Sequence, residues 1–328
     1  MSAQGFWRRL RVAGLCIAVC VALLPVSLRG QGKVLISHRT GSGRDVPVFV
    51  AASAVRAHLR HGDSLGCPSR IAFDSERDGT REIYSMNPDG TNQTRLTNNQ
   101  FVKQQATWSP DGNKLAFTSN RNGNWDIYVM DADGSNEVQL TANPFDDTYS
   151  AWSPDGALIA FTSNRDGNNE IYVMDALTGA DQANLTNNPA EDEAPTWSPD
   201  GSQIAFHSNR DGANGIFVMS DTGSNLRAIT PGLFAENPNW SPDGSRIVFS
   251  GGGGGTIYVM DASGLHQPQA LPVSGLRASW SPDAAMIAFW SQGDGEINVV
   301  DANGFGATAL TMNPAQDRYP NWSRCMFP

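Results

Sequence analysis

The sequence predicts an all-β fold assembled from six copies of one four-stranded unit, and three observations predict it. Tryptophans of the string Trp-Ser-Pro-Asp fall at Trp108, Trp152, Trp197, Trp240 and Trp280, with a sixth in Trp322-Ser323, at spacings of 44, 45, 43, 40 and 42 residues. Apolar triplets keep step with them: Ile71-Ala72-Phe73, Leu115-Ala116-Phe117, Ile159-Ala160-Phe161, Ile204-Ala205-Phe206, Ile247-Val248-Phe249 and Ile287-Ala288-Phe289. A third marker follows, clearest as Ile127-Tyr128-Val129-Met130-Asp131 and Ile171-Tyr172-Val173-Met174-Asp175. Self-similarity at this period marks stacked supersecondary units that share a core.

Taken in chain order, Arg8, Arg9 and Arg11 precede an apolar run from Val12 to Leu28, so residues 1–30 read as an export signal. The run is shorter than the roughly 20 residues a spanning helix needs, which favours cleavage over a retained signal anchor. Residues 31–69 read as a linker. His58 and His61 share one helical face there, but two histidines with only Asp63 nearby do not make a metal site. From residue 70 onward each unit offers short apolar runs separated by turn chemistry, the fourth marked by Leu-Thr at Leu96-Thr97, Leu140-Thr141, Leu185-Thr186 and Leu310-Thr311. Four such runs per unit make a four-stranded antiparallel sheet. Ser-Pro-Asp-Gly suits a tight turn, because proline presets the first central φ and glycine tolerates the closing geometry.

Charge narrows the partners. The 328-residue chain has a net charge of -10. Residues 1–69 hold nine Lys/Arg against two Asp/Glu, leaving 14 against 31 in residues 70–328, so the repeat body carries -17. No basic stripe interrupts it, which excludes nucleic acid as a partner. Contact with a membrane is expected only through an uncleaved N-terminal anchor.

The strings Trp-Ser-Pro-Asp-Gly, Ile-Ala-Phe-Thr-Ser-Asn-Arg-Asp-Gly, Ile-Tyr-Val-Met-Asp and Leu-Thr-x-Asn-Pro closely resemble the TolB-type, WD-like propeller repeat over residues 70–328. The resemblance implies a six-bladed β-propeller. TolB also carries an α/β domain ahead of its propeller, for which residues 31–69 are too few. The repeat region begins on an Ile-Ala-Phe strand and ends on a Pro-x-Trp strand, so N- and C-terminal strands should pair in one blade and close the ring. Aligned on the repeats, Cys67 and Cys325 map to the one turn that this closure cuts open, which predicts a disulfide formed in an oxidising compartment. Closing so long a loop would contribute up to roughly 5 kcal/mol in the chain-entropy account. The recurrent tryptophans read as packing between blades. Arg77, Arg121, Arg165 and Arg210 share one repeat position and read as structural partners of turn carboxylates or carbonyls.

Function is expected where the repeats diverge and loops converge, at the entry to the innermost strand of each blade. Five residues before each tryptophan stand Lys103, Asp147, Asp192, Ala235, Gly275 and Asp317, flanked by Asp146, Glu191, Glu193, Glu236 and Arg318. These predict an uneven acidic rim at the channel mouth that docks a protein or peptide partner. Such a rim could also take a calcium ion on Asp147, Asp192 and Asp317, the one cofactor considered. The string Asp131-Ala132-Asp133-Gly134 lacks the ligand spacing of a calcium loop and fits a hairpin turn. No catalytic residue is assigned. The alternative is a carbohydrate-active propeller enzyme, a glycosidase or lyase, with Asp192 and Asp317 as its acids. The resemblance implies a non-catalytic, monomeric binding scaffold, periplasmic or extracellular, with its partner in the cell envelope. The run Gly251 to Gly255 is expected to form a flexible hairpin tip.

Overall fold

The computed structural model describes the backbone of residues 33–39, 45–51 and 64–65 and all of residues 69–323. The expected signal segment and the expected Cys67–Cys325 disulfide lie outside the described residues. Part of the expected linker is ordered into an antiparallel sheet in which Lys33–Arg39 pairs on one side with Asp45–Ala51 and on the other with Ser64–Leu65. Alternation of apolar residues in Val46-Pro47-Val48-Phe49-Val50 suits the second of these strands.

Residues 71–322 form six four-stranded antiparallel sheets, the blades of a propeller. The first blade consists of Lys103–Trp108, Lys114–Ser119, Asp126–Asp131 and Val138–Gln139. The next four repeat this order with inner strands Asp147–Trp152, Asp192–Trp197, Ala235–Trp240 and Leu276–Trp280. The sixth closes the ring as expected. Its inner strand, Asp317–Trp322, pairs with Ile71–Ser75, register Trp322 to Ile71 and Asp317 to Ser75, and Glu82–Met86 and Thr94–Arg95 follow.

Strand alternation explains how the blades stack. In each triplet the isoleucine and phenylalanine face one neighbouring blade and the small middle residue faces the other. Trp197, Ile204, Phe206 and Phe217 therefore pack onto Ala160 and Ile171 of the preceding blade, and Trp240, Ile247 and Phe249 onto Ala205 and Ile216. The last interface sets Trp322, Ile71 and Phe73 against Ala288 and Ile297. The tryptophans are thus packing residues between blades. Burying about 150–250 Å² each, they stabilise by roughly 4–6 kcal/mol gross.

The remaining markers are hydrogen-bonding devices. In five turns the serine of Trp-Ser-Pro-Asp donates to the aspartate two residues on, as Ser198 Oγ does to Asp200 at 2.6 Å. The threonine of Leu-Thr accepts a backbone N–H at the start of the third strand: Thr97 from Ile83, Thr141 from Ile127 and Thr311 from Ile297, each at 2.9 Å. The leucine carbonyl meets the hairpin glycine of the next blade. A Cβ on Gly134 (φ 89°) or Gly179 (φ 70°) would fall onto the carbonyl oxygen of Leu96 or Leu140.

Candidate functional site

The six inner strands line a central channel, and each carries a bulge near its start. Pairing with the second strand slips between Thr148 and Ala151, between Glu193 and Thr196, and at the matching points of the other four blades. At each bulge, three residues before the tryptophan, one residue takes a left-handed conformation. These are Gln105 (φ 60°), Tyr149 (54°), Ala194 (53°), Asn237 (57°), Arg277 (57°) and Tyr319 (54°). A left-handed backbone at a non-glycine residue is costly and persists only where the surrounding structure over-determines it. Here it is held partly by bonds from the backbone N–H groups: Gln105 to Asp74 Oδ1 at 3.3 Å, Tyr149 to Gln105 Oε1 at 3.2 Å and Ala194 to Thr162 Oγ1 at 3.1 Å. All six line one cavity of about 160 Å³.

Chemically this ring is uneven. Arg277 Nη2 donates to the Tyr149 hydroxyl at 2.7 Å, and the guanidinium lies 4.5 Å from the Tyr149 ring centre and 4.9 Å from that of Tyr319. Asn237 is 8% exposed, and its Oδ1 has no hydrogen-bond partner. The ring therefore offers a cation, two aromatic faces and an unused acceptor.

The expected rim divides in two. Asp147, Asp192 and Asp317 are each 0% exposed. Arg165 Nη2 meets Asp147 at 2.9 Å, Arg210 Nη2 meets Asp192 at 2.7 Å and Arg77 Nη2 meets Asp317 at 2.6 Å. Asn143, Asn188 and Asn313 donate to the same three carboxylates at 2.5–2.7 Å. The arginines lie over the aromatic rings of their own blades, Arg165 at 4.5 Å from Tyr172 and Arg210 at 5.0 Å from Phe217. These aspartates and arginines are the internal braces of their blades, which places the aspartates beneath the accessible rim. Among the described residues, no group of three or more His, Cys, Asp or Glu could hold a metal ion. Where the aspartate is Lys103, charge is inverted: Lys103 is buried against Glu82 at 2.8 Å, and Arg121 turns to Glu137 at 2.5 Å. Where it is Ala235 or Gly275 the hairpin arginine is missing too.

Asp146, Glu191, Glu193, Glu236 and Arg318 stay partly exposed. Asp146 accepts from the Trp125 N–H at 3.0 Å, Glu191 from the Asn169 N–H at 3.0 Å and Glu236 from Asn214 Nδ2 at 2.6 Å. Glu193 accepts from Asn169 Nδ2 at 3.0 Å, and desolvation raises its pKa. His207 Nε2 is 3.9 Å from Glu193, yet burial holds the imidazole neutral by pushing its pKa down to about 3, so this contact is no ion pair. Arg318 lies 5.1 Å from the Trp290 ring and 4.0 Å from Glu76.

Asp74 stands behind the ring at the repeat position of Thr118, Thr162 and His207. Burial pushes its carboxyl up to about 8, against the pull of Arg81 at 3.6 Å. An unfolded aspartate titrates near 3.9. The folded value is the higher one, so the contribution of Asp74 is complete below about 3.9 and is lost as pH rises through about 8. An Asp74→Asn variant is expected to lack this slope and to gain in unfolding free energy relative to wild type as pH rises from about 5 to about 9. Urea unfolding across that range measures it, and parallel profiles would reject it. His207 acts with opposite sign: its depressed pKa gives stability present above about 6.5 and lost as pH falls toward about 3.

The expected site residues stand four to six residues before their tryptophans, and the ring stands three before. Three residues before each tryptophan the sequence holds Gln, Tyr, Ala, Asn, Arg and Tyr, but the preceding position varies as much, so variability alone does not single out the ring.

Comparison with known proteins bears on this architecture. A family model described as the TolB beta propeller domain matches residues 67–151, 97–183 and 143–326. The Tol-Pal system protein TolB of Desulfosudis oleivorans is 48% identical over 44 residues, which are 13% of this chain and 10% of that protein. Among solved structures, TolB from Acinetobacter baumannii superposes with a TM-score of 0.70 at 20% identity, over 86% of this chain and 76% of that one. A chain of a nidogen/laminin complex reaches 0.67 at 10% identity, over 78% and 99%. At such identities the structural likeness speaks for the fold alone.

Proposed function

Because the chain belongs to the TolB β-propeller family, we propose that it is an exported binding scaffold of the cell envelope. It recognises a protein or peptide partner at the mouth where the inner strands begin, and it carries out no reaction of its own. The observation that carries this reading is the ring of Gln105, Tyr149, Ala194, Asn237, Arg277 and Tyr319. It combines strained backbone, an uneven set of side chains and a shared cavity in a molecule that otherwise repeats itself. Strain of this kind concentrates at functional sites. Glu191, Glu193, Glu236 and Arg318 surround the mouth and would set its electrostatic preference. An enzymatic reading has less support, since Asp192 and Asp317 are buried against arginines and offer no open carboxylate pair.

Affinity capture from a cell-envelope extract tests the proposal. The full-length chain should retain a partner that a Tyr149→Ala, Asn237→Ala, Tyr319→Ala variant, folded by circular dichroism, loses. Equal capture by both proteins, or none by either, would reject the channel mouth as the binding surface.

A further inference from the structure

Arginines of this propeller characteristically sit against a carboxylate: Arg77, Arg81, Arg95, Arg121, Arg165 and Arg210 all lie within 4.0 Å of one. Arg277 does not. Among the described residues its one side-chain hydrogen bond is to the Tyr149 hydroxyl, although a guanidinium carries five N–H donors. It lines the channel cavity of an acidic body with no carboxylate of the described residues within 4.0 Å, the field of Glu193 reaching it from farther off. Asn237 lines the same cavity, is more than nine-tenths buried, and holds an acceptor oxygen that nothing satisfies. A buried polar atom without a partner is costly, so a ligand supplying the missing donor is favoured there. The cavity of about 160 Å³ is roomy enough for several waters. That space suits a small charged group and a peptide unit and is too small for a folded module.

We propose that Arg277, held between Tyr149 and Tyr319, anchors the free carboxylate at the end of an extended peptide, whose N–H donates to Asn237 Oδ1. The proposal rests on the binding reading above and specifies the chemistry of its ligand. A carboxylate matches the planar fork of a guanidinium, and a chain terminus presents carboxylate and N–H together. Tyr149 and Tyr319 restrict the side chain, so little is lost on ordering it. Glu193 and His207 are titratable groups coupled to Arg277, and Glu191 and Glu236 act on Glu193. Glu193 is bonded to Asn169, Glu236 to Asn214, and His207 is neutral. The glutamates make the surrounding rim negative, which disfavours multiply charged anions and selects a single carboxylate reaching past them.

The test uses the full-length, nitrogen-15-labelled chain and acetyl-triglycine as probe, beside the same peptide with a C-terminal amide. The Nε–Hε resonance of Arg277 should shift saturably with the acid, and the amide should bind about tenfold more weakly or worse. Arg277→Met should weaken binding of the acid by about tenfold to hundredfold, and Arg277→Lys by less, since a point charge replaces a bidentate fork. Equal binding of acid and amide, undiminished binding by Arg277→Met or Arg277→Lys, or no saturable shift would each overturn the proposal. If an envelope partner is captured at the mouth while the acid peptide fails to bind, the scaffold reading stands and the carboxylate reading falls.

Discussion

A chain ending at Gln316 is expected to lose its cooperative fold. The missing strand Asp317–Trp322 is the inner strand of the blade that joins the two ends of the propeller. Trp322 is 6% exposed and packs with Ile71, Phe73, Tyr84 and Met86 of its own blade and Ala288, Ile297 and Val299 of the neighbour. Losing one such aromatic costs about 3–5 kcal/mol. Losing Asp317 leaves Arg77 without its carboxylate, about 3 kcal/mol more. Further anchors go with them: Ser323 N–H to the Arg70 carbonyl at 2.8 Å, the Trp108 N–H to Asn321 Oδ1 at 3.0 Å and the Trp322 N–H to Ser279 Oγ at 3.2 Å. Strand Ile71–Ser75, buried throughout its length, would become an exposed apolar edge. Set against a net stability of roughly 5–15 kcal/mol, these losses reach the whole of it. Near-UV circular dichroism and a thermal melt report the outcome. A full-length Cys325→Ser control separates strand loss from loss of the disulfide expected with Cys67. A truncated chain melting cooperatively near the wild-type temperature would refute closure of the ring as a source of stability.

The fold was legible because its packing is written in short strings at constant spacing. Trp, Ile-Ala-Phe and Leu-Thr recur, and each has one structural duty. The tryptophan packs between blades, the triplet alternates a large face with a small one, and the threonine caps the third strand. Ring closure follows from the strand types at the two ends, since an Ile-Ala-Phe strand lacks an inner partner and a Pro-x-Trp strand lacks an outer one. The sheet within residues 33–65 was not legible, because it repeats nothing else in the chain and its strands have only local alternation to show.

Asp147, Asp192 and Asp317 were legible as inner-strand starts but not as buried braces. Asp147, Asp192 and Asp317 read as rim ligands because they begin inner strands. A carboxylate at a strand start and an arginine eighteen residues on give no sign in a linear sequence that they will bury each other. The correlation that betrays it is visible only across repeats: Asp147, Asp192 and Asp317 occur with Arg165, Arg210 and Arg77, whereas Ala235 and Gly275 occur with no arginine at all. The channel ring escapes for another reason. A bulge shifts which residues point inward, and nothing short of the strand register shows where it falls.

Replacing Asp192 by alanine is therefore expected to destabilise the protein while leaving recognition at the channel mouth intact. The carboxylate is 0% exposed, its Oδ2 binds both Arg210 Nη2 and Asn188 Nδ2 at 2.7 Å, and Arg210 is itself only 17% exposed. Removing one partner leaves a mostly buried guanidinium uncompensated, at a cost of about 3–5 kcal/mol. For a domain of this size that lowers the melting temperature by about 6–20 °C. The double variant Asp192→Ala, Arg210→Ala should recover part of the loss, because it removes the uncompensated charge along with its partner, as the blades beginning at Ala235 and Leu276 already do. Thermal melts of wild type, both single variants and the double variant give the coupling energy. Additive losses would mean that the pair does not act as a brace. A partner that escapes capture by the folded Asp192→Ala protein would return this carboxylate to the binding surface.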